Sequence, residues 1–258
     1  MFDFKTVKMI VTDLDRTLLC SDKTISDYSS VVLKRCRERG IKIVFATARP
    51  KRTVNQFMND IPADALIVHN GAVIYADEKL LGNHGIESDI KDNILLSLSK
   101  DFPDATLSVE IDDVLYANFD VSTVWKYTSA VRSNFTDLPS KAADKIIVGV
   151  SSVEDMECFS KYLTDDLYIE MSDGKLGLIM SRKATKWEAV KIVADHFNIS
   201  TNEVATFGDD YNDISMIREC GVGVAVANAI DEVKAVANYF CDTNDNDGVA
   251  KWIEENIL

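Results

Sequence analysis

Residues 7–12 make a largely apolar, β-branched run that stops at two carboxylates, Asp13 and Asp15, with Thr17 two positions further on. Such a run suits a central strand buried on both faces, as parallel sheets provide. Acids at the mouth of a buried strand are costly unless something pairs with them. If the pleat persists to the end, the i, i+2 spacing sets both carboxylates on one face. A divalent cation, a proton shared between them, or nearby Lys and Arg side chains would each pair them. Asp13 reads as a nucleophile and Asp15 as its acid/base partner.

The pattern around this run is strand–helix–strand. Ser26 is an expected N-cap for a helix to about residue 39, with Val31, Val32 and Cys36 at helical spacing and Gly40 closing it. Residues 41–46 read as a second buried strand ending at Thr47-Ala48-Arg49-Pro50, and Pro50 fits the first turn of another helix. Two short strands, 65–68 and 72–75, flank the turn dipeptide Asn70-Gly71.

Gly82-Asn83-His84-Gly85 reads as a linker, and the texture changes after it. Up to about residue 181 the chain reads as helix 87–100, strands 106–110 and 114–118, and helix 121–134. Strand 145–150, helix 153–163 and strands 167–171 and 176–180 follow, the last two joined by a turn at Asp173-Gly174. From Lys186 the first pattern resumes, with helix 186–197, strand 204–207, helix to 219, strand 222–226, helix 229–237, short strand 239–241 and a last helix. The expected fold class is α/β: a Rossmann-like parallel-sheet core from residues 1–82 and 183–258, with an inserted α+β module over residues 83–182.

Length and composition fit this. The 258 residues are 47% hydrophobic and 27% charged, enough for a large core without disulfide or structural metal. The net charge of −14 argues against binding nucleic acid through a basic face, and any phosphate ligand has to be captured by local cations. Five scattered cysteines without a C-x-x-C read as reduced thiols packed as small hydrophobes. No leader pattern and no membrane-length apolar run is seen, so a cytoplasmic protein without membrane contact is expected. His69, His84 and His196 lack metal-ligand spacing and read as structural. Gly221-x-Gly223 reads as a turn, and Trp125, Tyr127, Phe135 and Met171 as core.

In an open parallel sheet, ligands bind at the carboxyl ends of the strands. Asp13 with Asp15, Thr47 with Arg49, and Asp209 with Asn212 and Asp213 all follow apolar strands, and Lys186 opens a helix. These types suit phosphoryl transfer. One carboxylate attacks phosphorus, a second acid protonates the leaving oxygen, and the pair's pKa values are pushed apart. A hard cation such as Mg2+ offsets the repulsion between acids and phosphate. A hydroxyl and an ammonium hold the transferring oxygens.

The set Asp13-x-Asp15-x-Thr17, Thr47, Lys186 and Gly208-Asp209-x-x-Asn212-Asp213 resembles the four motifs of the haloacid dehalogenase-like superfamily. Asn70-Gly71-Ala72, Val226-Ala227-Asn228-Ala229 and Asp247-Gly248-Val249-Ala250 narrow the likeness to Cof-type phosphatases with a type IIB cap. The resemblance implies that Asp13 is nucleophile and Mg2+ ligand, and that Asp15 is acid/base and a ligand through its carbonyl. It makes Asp209 a further ligand, with Asp213 and Asp210 behind the ligands, and Thr47, Lys186 and Asn212 on the phosphate. Arg49 shapes the pocket or pairs with an acid, and Lys183 is a rival for the role of Lys186. The implied activity is Mg2+-dependent hydrolysis of small phosphomonoesters, sugar phosphates or related metabolites, through a phosphoaspartyl intermediate, by a monomer or small homo-oligomer. A phosphomannomutase-like mutase and a non-catalytic phosphometabolite binder are the alternatives. The family usually has Gly where this chain has Arg16, Ala48 and Trp187. An arginine at position 16 is strained if that position needs positive φ, and it is also placed to reach a substrate anion.

Overall fold

The computed structural model describes residues 3–58, 61, 63–126, 128–172 and 175–258. In chain order its main elements are β1 (Met9–Thr12), α1 (Asp27–Glu38), β2 (Lys42–Ala46), α2 (Lys51–Met58), β3 (Ala65–Val68), β4 (Val73–Ala76) and β5 (Lys79–Asn83). Then come α3 (Ser88–Asp101), β6 (Leu107–Ile111), β7 (Val114–Ala117), β8 (Val131–Arg132), β9 (Lys145–Gly149), α4 (Val153–Ser160), β10 (Leu167–Ser172) and β11 (Leu176–Ser181). The chain continues with α5 (Lys186–His196), β12 (Val204–Gly208), α6 (Ile214–Glu219), β13 (Val222–Val226), α7 (Asp231–Val236), β14 (Tyr239–Cys241) and α8 (Gly248–Asn256). It divides into two compact units, Met1–Gly82 with Thr185–Leu258, and Asn83–Ala184.

The first unit holds a sheet in the order β14-β13-β12-β1-β2-β3-β4-β5. From β14 to β3 every pairing is parallel, and β4 turns back antiparallel on β3. β1 lies between β2 and β12, and all four of its residues are buried. The fully buried side chains of Ile10, Ile43, Phe45, Phe207 and Val224 place the core along these central strands. Ser26 caps α1 by accepting from the Ser29 amide, and Val32, Leu33 and Cys36 form its buried stripe. Val31, expected in that stripe, is 54% exposed. Part of the expected linker is strand: β5 runs to Asn83 as a largely exposed edge, too polar to be read as one.

The second unit is a mixed sheet in the order β10-β11-β9-β6-β7-β8, antiparallel except for β7 with β8. Ile94, Leu95 and Leu98 of α3 and Phe159 of α4 join Leu107, Val109, Ile146, Val148 and Ile179 in one core. Among the described residues of 121–134 the expected helix does not form. A 3-10 turn, Val121–Thr123, stands at its start, opened by the Asp120 side chain accepting from the Ser122 amide. β-Branched Val121, Thr123 and Val124 disfavour a helix, and β8 takes Val131 into the sheet instead. The expected turn at Asp173-Gly174, and Tyr127, lie outside the described residues. Phe135 is buried, but Met171 is 37% exposed and is not core. Cys36 and Cys220 pack as buried thiols, whereas Cys158 is exposed. Among the described residues, no helix is long and apolar enough to cross a membrane.

Candidate active site

Two neighbouring strand ends build the site. The Asp13 amide donates to the Phe207 carbonyl at 3.0 Å, which ties the residue after β1 to β12. β12 ends at Gly208, where a Cβ would lie 2.4–2.6 Å from the Asp213 side chain. The missing side chain lets the Asp213 carboxylate fold back over the strand end. There its Oδ2 accepts from the Asp209 and Asp210 amides, at 3.0 and 3.2 Å. Its Oδ1 accepts from Lys186 Nζ at 2.6 Å, and Lys186 Nζ also donates to Asp13 Oδ1 at 2.7 Å. Lys186 is the first residue of α5, whose N-cap Thr185 accepts from the Glu188 amide. Lys183, the rival, is exposed, whereas Lys186 is buried.

Asp13, Asp209 and Asp213 are all buried, with carboxylate oxygens within 4.8 Å of one another. Burial works against the Lys186 charge, but Asp13 and Asp213 outweigh it and hold the ammonium protonated. Burial pushes the Asp13 carboxyl up to about 8, with Lys186 opposing and Asp213 and Asp209 adding to the rise. Asp209 is pushed up to about 6, first by burial and then by Asp213. Its Oδ1 accepts from Thr17 Oγ1 at 3.1 Å, while its buried Oδ2 accepts no hydrogen bond among the described residues.

Asp15 is partnered separately. β1 stops at Thr12, so the pleat does not carry both acids onto one face, and Asp15 instead forms a bridge with Leu19. Arg49 grips its carboxylate with two hydrogen bonds, Nε to Oδ2 at 2.6 Å and Nη2 to Oδ1 at 2.7 Å, and Lys23 Nζ adds a third to Oδ1 at 2.7 Å. Burial raises this carboxyl, but the two cations outweigh burial and hold it at about 2. The two acids are thus shifted apart through different partners, Asp13 upward by burial and Asp15 downward by its two cations.

Thr47 is buried at the end of β2, and its Oγ1 accepts from the Arg49 amide at 3.2 Å. The Thr47 carbonyl accepts from the Asn70 amide, and the Asn70 side chain accepts from Asn212 Nδ2 at 2.9 Å. Asp210 is exposed and caps the turn before α6 through the Tyr211 amide. Thus Asp13, Lys186, Asp209 and Asp213 meet directly, while Thr47, Arg49, Asn70 and Asn212 form a chain of contacts leading to Asp15.

A family model described as haloacid dehalogenase-like hydrolase matches residues 10–253. This chain belongs to that family. Within the haloacid dehalogenase-like hydrolases it sits among the Cof-type proteins. It is similar to Phosphatase YwpJ of Bacillus subtilis, 31% identical over 96% of this chain and 99% of the relative. It is also similar to the 5-amino-6-(5-phospho-D-ribitylamino)uracil phosphatase YitU of the same organism, 26% identical over 96% of each chain. The solved structure of TM0651 from Thermotoga maritima superposes with a TM-score of 0.88 at 26% identity, covering 96% of this chain and 97% of that one. The chain is therefore a phosphatase of the haloacid dehalogenase-like class.

Divalent-cation chemistry fits this haloacid dehalogenase-like site. Among the described residues Asp209 presents a buried oxygen without a hydrogen-bond donor, beside two buried acids that share the Lys186 ammonium. Asp213 is less suited to ligate, because both its oxygens already accept hydrogen bonds. Sequence reasoning left out Lys23, and it gave Thr17, Asn70 and Asn228 no task of their own. The D-x-D-x-T spacing was a signal for Thr17, and Asn70-Gly71-Ala72 was read as a turn and as part of the family likeness. Nothing local marks Lys23, and Asn228 was marked only as part of the segment Val226-Ala227-Asn228-Ala229.

Proposed function

We propose that this protein is a Mg2+-dependent phosphatase acting on small phosphomonoesters of the sugar-phosphate kind through a phosphoaspartyl intermediate. The observation that carries this reading is Lys186 bridging Asp13 and Asp213, beside the orphaned oxygen of Asp209. Asp13, Asp209 and the Asp15 carbonyl would hold Mg2+, which when bound offsets the charge of acids and phosphate and draws the carboxyls toward their ionised forms. An Asp13 carboxylate oxygen attacks phosphorus, the P–O bond to the alcohol breaks, and Asp15 gives its proton to the leaving oxygen. Water then attacks the acyl phosphate while Asp15 takes its proton, releasing inorganic phosphate and restoring the Asp13 carboxylate. Lys186 holds Asp13 in place, and Thr47 and Asn212 bind phosphoryl oxygens. Arg49 changes partner in this scheme: the incoming dianion competes for it, which frees Asp15 to carry a proton.

The phosphoribityl compound named for YitU supports a polyol or sugar phosphate as the class to try first. Free cysteines suit a reducing compartment such as the cytoplasm. The test is a panel of phosphate esters, with p-nitrophenyl phosphate as the generic member, assayed with Mg2+ and with chelator. Wild type should release phosphate only with the ion, and Asp13→Asn should show no turnover. Hydrolysis by Asp13→Asn near the wild-type rate would remove Asp13 as nucleophile.

A further inference from the structure

Arg16 is not used by this mechanism, yet it is held in place with care. Its φ is 60°, a left-handed conformation that favours glycine over arginine. Asn228 clamps it from both sides: Asn228 Nδ2 donates to the Arg16 carbonyl at 2.7 Å, and Arg16 Nη2 donates to the Asn228 carbonyl at 3.4 Å. The clamp is itself braced. Asn228 Oδ1 accepts from the Asn244 amide at 3.0 Å, and Asn244 Nδ2 donates to the Leu19 carbonyl at 2.9 Å. The Asp209 carbonyl accepts from the Ile230 amide at 3.0 Å, which joins the same loop to the acid.

This scaffold sets the guanidinium against one atom. Arg16 Nε lies 3.5 Å from Asp209 Oδ2, the buried oxygen that accepts no hydrogen bond. The arginine side chain is 57% exposed and the aspartate 4%, so the cation covers the acid from the solvent side. The contact is an ion pair without a hydrogen bond, close enough to neutralise and loose enough to yield.

We propose that Arg16 is a resident counter-cation of the metal site, which a divalent ion must displace from Asp209, so that Arg16 sets the affinity of this protein for Mg2+. The inference rests on the metal reading of the proposed function. Two cations on one carboxylate oxygen repel, and the bound ion therefore works against the arginine charge as well as its own dehydration.

The test is calorimetric titration of Mg2+ into chelator-treated, dialysed protein, with no substrate present. Arg16→Gln keeps length without charge, Arg16→Gly suits the positive φ and preserves the fold, and Arg16→Lys keeps the charge. Arg16→Gln and Arg16→Gly should bind Mg2+ about tenfold more tightly than wild type, with Arg16→Lys within about threefold of it. Measurable but equal affinities in all four proteins would overturn the proposal and leave the phosphatase reading standing. Tightening in Arg16→Lys as large as in Arg16→Gln would also overturn it, since charge would not be the cause. Absence of binding in every protein would sink both the proposal and the metal reading.

Discussion

Lys186 is a fully buried ammonium between two buried carboxylates, and removing it leaves those charges without their partner. Breaking such a cluster from one side costs roughly 3–5 kcal/mol. Lys186→Met should therefore lower the urea-derived stability by that order, with loss of turnover. A variant as stable as wild type would mean that the ammonium contributes little there. The chemical types at this site were readable because the proposed reaction restricts them: carboxylates to attack and shuttle protons, a lysine to hold them. Their partners were not. Asn70 meets Asn212 across 142 positions and Asn228 meets Arg16 across 212, and polar residues on loops carry no sign of such distant contacts. The Lys23 contact to Asp15 was equally hidden, whereas pairing with an acid was one of the two roles expected of Arg49. The sequence placed two acids side by side, while the end of β1 at Thr12 sent their side chains to different partners.

At the scale of elements, the end of β12 matters most. Gly208 is needed for space rather than for an unusual φ: an added methyl would sit where the Asp213 carboxylate rests. Gly208→Ala should displace Asp213, and with it Lys186, while the sheet persists. Turnover should fall by about a hundredfold, since a shift near 1 Å at a reacting group has that effect. The far-ultraviolet circular dichroism should stay unchanged; unaltered turnover in a folded variant would show that Asp213 does not set the position of Lys186. Elements with continuous apolar runs, β1, β2, β12 and β13, were legible because burial on both faces leaves few other options. Residues 121–134 were not, because spaced apolar residues there fit a helix on paper. Instead Val121 joins a small cluster with Leu115 and Ala117, against which Trp125 packs.

On the scale of the whole molecule, the two units carry different electrostatic loads. In the second, the buried Asp144 carboxyl is pushed up to about 7, by burial first and then by Glu110. The native state keeps this proton over a range where the unfolded chain, with its ordinary value of 3.8, has lost it. Unfolding free energy from this group therefore falls as pH rises from about 4 to about 7, by roughly 4 kcal/mol at most. Asp144→Asn should melt with wild type near pH 4 and progressively above it toward about pH 8. A melting difference independent of pH would refute the assignment. The strand order has a further consequence, for synthesis. β1 is translated before both its neighbours, and one of them, β12, follows only after the whole of Asn83–Ala184. Until then β1 has an open edge, and Asp13 waits 173 positions for its lysine. A nascent chain stalled before residue 204 thus presents an adhesive apolar strand, and this enzyme's yield in a cell depends on how quickly, or under what chaperone cover, that gap is crossed.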